Sequence, residues 1–300
     1  MPSALFSTGT RVWIANTGTS SVIEFNASSG REMRVVSGRK FRFDISDGIA
    51  AYGYHVWVAN SASGSVTEFS ARTGGLLHVL SGAKYRFGVP GAIVVASHHV
   101  FVLDRRGGSV TELNEADATL IKVLSAPSYH FTGADALVVV HNDVWVADGA
   151  GRGWLTEVNA ATGKVVRIVP AQRAHLDGPT AIATDGARLW VANAAGGHLS
   201  VVNAQDGSLL RTVAVRHASL NGAGSLAVVA GRLWVADPVH AGAVAVVRTA
   251  TGTLLRSFTR RFGYPSVVTD HVRVWVVDRT QSRITELNAV TGATIRVITH

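Results

Sequence analysis

The hydrophobic pattern of the chain is a series of short β-branched and aromatic runs, one of which recurs along its whole length. It reads VWIAN at 12–16, VWVAN at 56–60, VFVLD at 100–104, VWVAD at 144–148, LWVAN at 189–193, LWVAD at 233–237 and VWVVD at 274–278. Measured at the ring residue (Trp13, Trp57, Phe101, Trp145, Trp190, Trp234 and Trp275), the spacings are 44, 44, 44, 45, 44 and 41 residues. Each repeat contains four strand-like segments. A small apolar run such as DGIAA or TAIAT precedes the anchor, and an alternating segment such as SVIEFN or RITELN follows it after a polar loop. An ATG-type turn leads to a fourth segment such as LLHVL or TIRVI. We denote the four segments strands A to D.

Four strands repeated every ~40 to 50 residues predict a β-propeller. The expected fold is all-β, a seven-bladed propeller with four antiparallel strands per blade. One domain over 1–300 is expected, with blades at 2–45, 46–89, 90–133, 134–178, 179–222, 223–263 and 264–300. The chain runs from a strand A to a strand D, so each blade is contiguous in sequence, no strand is exchanged, and ring closure is left to packing between blades 7 and 1. The seven anchor rings are read as packing between blades, not as ligand-stacking groups.

This repeat resembles the YVTN and NHL-type propeller families, whose units show a strand near the axis, a VWVAN-like strand, a short loop and an outer hairpin. The resemblance covers the whole chain and implies the fold more strongly than any activity. The nearest enzymatic analogue is the virginiamycin B lyase type, a seven-bladed, metal-assisted lyase with His and Glu groups in its last blades. The matching stretch here holds Asp270, His271 and Glu286. Asp270 and His271 fall on an A-to-B turn, and Glu286 is read as structural, so that active site is not carried over.

Composition excludes a disordered or collagen-like chain, since 47% of the 300 residues are hydrophobic and 16% charged. The absence of Cys removes every cysteine-based zinc, iron–sulfur or redox site. The start, MPSALFSTGTRVW, has neither a basic nor an apolar leader segment, and no apolar run approaches the ~20 residues of a membrane span. The expectation is a soluble monomer of unassigned compartment, with no membrane partner, no cofactor and no metal.

The net charge of +8 bears on function only through its placement. Strand D carries a basic residue at one position in every unit: Arg34, His78, Lys122, Arg167, Arg211, Arg256 and Arg296. In five units an acid lies ten positions earlier on strand C, at Glu24, Glu68, Glu112, Glu157 and Glu286, a spacing that predicts a cross-strand ion pair. A second ring on the A-to-B turns comprises Arg11, His55, His99, Asp143, Arg188, Arg232 and Arg273, read as solvated turn residues with an anion site as the alternative. Fourteen of the 28 Lys and Arg fall in the D-to-A and B-to-C loops, which emerge on one face, here called the top.

Candidate chemistry therefore lies in those loops. The D-to-A loops read FRF, YRF, YHF, AHL and ASL, with Arg42, Arg86, His130, His175 and Ser219 at the centre. A column that would rim the channel holds Ser3, Asp47, Gly91, Asp135, Thr180, Gly224 and Pro265, making Asp47 and Asp135 the mouth carboxylates and His130 with Asp135 a base-and-orienter pair. Departures from the repeat at the start of strand C add Trp154, His198 and Arg283, and the PVHAG loop adds His240. The Asn or Asp after each strand B is read as a turn cap and left out.

The favoured reading is a recognition or scaffold propeller binding an anionic small molecule, peptide or glycan through Arg42, Arg86, His130, His175, Asp47, Asp135, Trp154, His198, His240 and Arg283. The alternative is a lyase- or cyclase-type enzyme with His130, His175 or His240 as general base and Asp135 beside it. Nucleic acid is disfavoured, because the basic residues are spread round a ring and the aromatics serve packing.

Overall fold

The computed structural model describes residues 1–125, 127–214, 223–239, 242–258, 261–270 and 272–299. They form an all-β seven-bladed propeller of seven four-stranded antiparallel sheets, each built from consecutive strands A, B, C and D. In blade 1 these are Pro2–Ser7, Arg11–Asn16, Ser21–Asn26 and Glu32–Ser37. Later blades run from Ser46–Tyr52 to Leu76–Ser81, Pro90–Ala96 to Leu120–Leu124, Ala134–Val140 to Val165–Pro170, Pro179–Thr184 to Leu209–Val213, Ser225–Val229 to Leu254–Phe258, and Pro265–Thr269 to Thr294–Thr299. The chain divides into two compact units, Met1–Asp148 with Thr156–Ile168, and Gly149–Leu155 with Val169–His300.

Within each unit the strands A of successive blades lie side by side. Strand B is sandwiched between A and C and reads as a near-continuous buried run, which explains why its sequence is apolar without alternation. All seven anchor rings are fully buried, each an expected gain of about 1.5 to 3 kcal/mol over leaving it in water. They sit in clusters drawn from adjacent blades, as where Trp57, Tyr85, Phe87 and Val102 meet. Strand D alternates between exposed and half-buried positions, as the outer edge of a sheet must.

One irregularity repeats. The A-to-B ladder skips a residue between Pro2 and Ala4, Ser46 and Gly48, Ala134 and Ala136, and Pro179 and Ala181, and shifts at the same place in blade 3. The residues left over, Ser3, Asp47, Asp135 and Thr180, belong to the column expected at the rim. A β-bulge re-aims the side chain it carries.

Candidate functional site

The D-to-A loops of the first unit are built alike. Arg39–Phe41, Ala83–Tyr85 and Pro127–Tyr129 each form one 3-10 turn. The next residue, Arg42, Arg86 or His130, takes the left-handed conformation at φ 54°, 53° and 52°. A non-glycine residue there costs about 1 kcal/mol. The turn is held by the rings on either side: Phe41 stacks on Phe43 at 5.2 Å and Tyr85 on Phe87 at 5.3 Å, all four buried. Its carbonyl is held as well. Thr67 Oγ1 donates to the Phe41 carbonyl at 2.5 Å, Thr111 Oγ1 to Tyr85 at 2.6 Å and Thr156 Oγ1 to Tyr129 at 2.8 Å.

Burying the rings turns the intervening cations outward. Arg39, Lys40, Arg42, Lys84 and Arg86 are all exposed, Lys40 lies 5.2 Å from the Phe41 ring centre, and Lys84 lies 4.8 Å from that of Tyr85. Arg86 donates to Ser125 Oγ at 2.6 Å, and Arg42 reaches toward Ser81 Oγ at 3.5 Å. None of the five forms an ion pair among the described residues. The sequence K-F-R-F at 40–43 and the similar K-Y-R-F at 84–87 thus present two like cationic turns in the D-to-A loops that follow blades 1 and 2.

Beside them, the bulges bring Asp47 and Asp135 to Arg105 of blade 3. Arg105 Nη1 lies 3.6 Å from Asp47 Oδ2, and Nε lies 3.9 Å from Asp135 Oδ1. Gly91 makes this possible, because a Cβ there would stand 2.9 Å from Arg105 Nε. Burial holds the Asp135 carboxyl above its ordinary range, against the lowering effect of Arg105 and with a further push from Asp148. The partner of Asp135 is therefore Arg105, and His130 is not among its hydrogen-bond or ion-pair partners. The signal for Arg105 was a glycine between two acids in one column, with a basic residue one place after Asp104.

In the second unit, His175 follows the single helical turn Ala171–Ala174 and takes the same left-handed conformation, at φ 48°. Its carbonyl accepts from Ser200 Oγ at 2.8 Å, and His198 Nε2 stands 2.9 Å from it. Arg152, Gln172, His175, Asp177 and His198 line an open cleft of about 370 Å³. The structure thus brings His175 and His198 together. Trp154 is half-buried on its strand, and Arg283 is a tie between blade 7 and the loop before it, pairing with Asp278 at 3.4 Å and donating to the Arg261 carbonyl at 3.1 Å. His240, Ser219 and His271 lie outside the described residues.

At the opposite ends of the blades, the cation ring is largely neutralised. Arg11 donates to buried Glu24 at 2.6 Å while Arg34 stands 3.7 Å away on its other side. Glu68 is held between His55 and His78, Glu112 between His99 and Lys122, and Glu286 between Arg273 and Arg296. The C-to-D register pairs Glu24 with Arg34, Glu68 with His78, Glu112 with Lys122 and Glu286 with Arg296, as the ten-residue spacing predicts. The ring cations also donate to the turn of the following blade, Arg11 to the Ala71 carbonyl at 3.1 Å and Arg188 to that of Thr249 at 2.9 Å. Arg11, His99 and Arg188 thus join blades, and for them the expectation of solvated turn residues is corrected, whereas Arg232 donates, among the described residues, only to the Ala230 carbonyl of its own turn. Asp104, Asp148 and Asn193 accept backbone N–H groups of the preceding loop, from Gly88, Gly133 and Asp177 respectively. Among the described residues no group of His, Asp and Glu is placed to hold a metal ion, and no helix is long and apolar enough to cross a membrane.

These features define a seven-bladed β-propeller, a fold that commonly serves as a binding scaffold. The chain is similar to KlHsv2 with loop 6CD replaced by a Gly-Ser linker (TM-score 0.73, 7% identity, covering 99% of this chain and 98% of that one). It is also similar to the computationally designed Ika8 protein (0.66, 16% identity, 92% of each chain) and to BamB from Moraxella catarrhalis (0.61, 16% identity, 98% of this chain and 84% of that one). At such identities the likeness shows the fold alone. No family model and no curated protein sequence matches the chain.

Proposed function

We propose that the protein is a recognition module that binds an anionic ligand on the cationic turns of blades 1 to 3. The observation that carries this reading is the duplicated turn, in which buried rings fix the backbone and leave Lys40, Arg42, Lys84 and Arg86 exposed without a carboxylate partner. Two such turns in adjacent blades suit a ligand with more than one negative charge, a peptide or glycan more than a single small ion. The resemblance of the repeat to YVTN and NHL-type propellers supports a binding role. The test is affinity for an acidic peptide and for a sulfated oligosaccharide. Arg42→Glu with Arg86→Glu is expected to weaken at least one of them about tenfold or more at low salt, and the wild-type affinity to fall as salt rises. Unchanged affinities in the double variant overturn the reading.

A second reading, a lyase- or cyclase-type enzyme, rests on the cleft that holds His175 beside His198, Asp177 and Arg152. There His175 would act as general base, its ring oriented by the neighbouring groups. Turnover of a candidate substrate that survives His175→Ala removes this reading.

A further inference from the structure

One cleft lies at the other end of the blades from the cationic turns, between the A-to-B turns of blades 1 and 2. It measures about 700 Å³, within the ~300 to 1,000 Å³ typical of small-molecule sites. The A-to-B turn varies from blade to blade, but only in blade 2 does it carry Tyr, Phe or Trp: it reads Tyr52-Gly53-Tyr54, against Thr8-Gly9-Thr10 in blade 1, Ala96-Ser97-His98 in blade 3 and Asp185-Gly186-Ala187 in blade 5. Gly53, at φ +56°, supplies the conformation the tight turn requires. The two tyrosines are not core residues: Tyr52 is 46% and Tyr54 67% exposed.

The backbone around them is fixed. Ala71 N–H donates to the Tyr54 carbonyl at 2.7 Å, the Ala71 carbonyl accepts from Arg11 and Arg34 at 3.1 Å each, and the Arg72 carbonyl accepts from Arg34 at 2.9 Å. The Tyr52 ring stands edge-to-face with His98 at 5.9 Å, which fixes its orientation and leaves its hydroxyl and the Tyr54 ring for a ligand to meet. The Tyr52, Tyr54 and Thr10 hydroxyls and the Arg72 guanidinium have no hydrogen-bond or ion-pair partner among the described residues. Arg11 and Arg34 share one carboxylate, Glu24, and Glu115 stands beside Gly53, so with Arg72 the charge near the cleft is positive by about one, and no lining residue is acidic.

We infer that this cleft is a binding site for a carboxylated sugar. The exposed Tyr54 ring offers a face for the C–H surface of a pyranose, the three hydroxyls exchange hydrogen bonds with its hydroxyls, and a guanidinium pairs bidentately with one carboxylate. The inference is independent of the cationic turns. The probe is a disaccharide of glucuronate and N-acetylglucosamine, followed by saturation-transfer NMR and calorimetry against the same disaccharide with its carboxylate reduced to the alcohol. Saturable binding is expected for the acidic form, weakened about tenfold or more by Arg72→Gln, by Tyr54→Ala and by reduction of the carboxylate. Tyr54→Phe keeps the stacking face and is expected to lose less than Tyr54→Ala. Arg42→Glu with Arg86→Glu leaves this binding unchanged while weakening that of the other site, so the two readings fail separately. Absence of saturable binding, equal binding of the neutral disaccharide, insensitivity to Arg72→Gln and Tyr54→Ala, or tighter binding of benzoate than of the sugar each overturns the inference.

Discussion

Blades 3 and 4 share a fold, and each buries one glutamate on strand C, but they treat it differently. In blade 3, Glu112 lies between Lys122, 3.7 Å away, and His99, whose Nδ1 stands 2.8 Å from both Glu112 Oε1 and the Ala160 carbonyl oxygen. In blade 4, Glu157 keeps its strand D partner, Arg167 at 3.2 Å, but the ring position holds Asp143, fixed by Asn159 Nδ2 at 3.0 Å. Burial raises both carboxyls. Around Glu112 both Lys122 and His99 oppose it, whereas around Glu157 only Arg167 does and Asp143 adds to it, so Glu157 is pushed up to about 7. Both carboxyls are thus raised, and what differs between the blades is the second neighbour, which lowers the shift at Glu112 and adds to it at Glu157.

The sharpest way to break this contrast is to make blade 3 resemble blade 4. His99→Asp removes the hydrogen bond to the Ala160 carbonyl of the next blade and the imidazole contact with Glu112, and places a like charge beside Glu112. The expected loss is about 2 to 4 kcal/mol at pH 8, a fall of several degrees or more in melting temperature, with part of it recovered at pH 5. A variant that melts with the wild type at pH 8 would show that the ring position contributes nothing to blade packing.

How far this was legible in the sequence follows from which spacings stay within one hairpin. The 44-residue period and the Glu24–Arg34 pairing run along neighbouring strands, so the alternation and a tight turn were enough to place them. The link between Arg11 and Glu24 is also short, 13 residues, but it reaches across the B-to-C ladder toward a residue opposite Trp13, and period-two reasoning does not bring it out. Arg105 was hidden for another reason. Its contacts with Asp47 and Asp135 depend on bulges, which are slips of register between strands that leave no mark on the hydrophobic pattern of either. Tyr52 and Tyr54 look by composition like further core rings, and only their exposure sets them apart.

The contrast can also be tested through pH. The Glu157 pKa is raised on folding, from 4.5 to about 7, so the folded state binds the proton more tightly. Below about pH 4.5 both states are protonated and the group is neutral toward stability. As pH rises from there to about 7 the unfolded state releases its proton first, and stability falls; above 7 the loss is complete. Glu157 is 8% exposed, and the loss is on the order of 2 kcal/mol between pH 5 and 8. Glu157→Gln is expected to flatten that part of the curve and to melt higher than the wild type at pH 8. Denaturant titrations at both pH values measure it, and an unaltered slope in the variant would show that another group carries the dependence.

The smallest change tests the neighbour alone. Asp143→Asn keeps a side-chain oxygen for Asn159 Nδ2 and removes the charge that separates blade 4 from blade 3. Burial and Arg167 remain, so Glu157 should still titrate above an ordinary glutamate, but below the wild-type midpoint near 7. The accompanying gain is about 0.5 to 1 kcal/mol above pH 7 and close to nothing at pH 4, where Glu157 is protonated in either case. A carboxyl-carbon NMR titration of Glu157 reads the midpoint directly. A midpoint that does not move would assign the whole shift to burial, and the difference between the two blades would then lie in how deeply each glutamate sits rather than in the sign of the charge beside it.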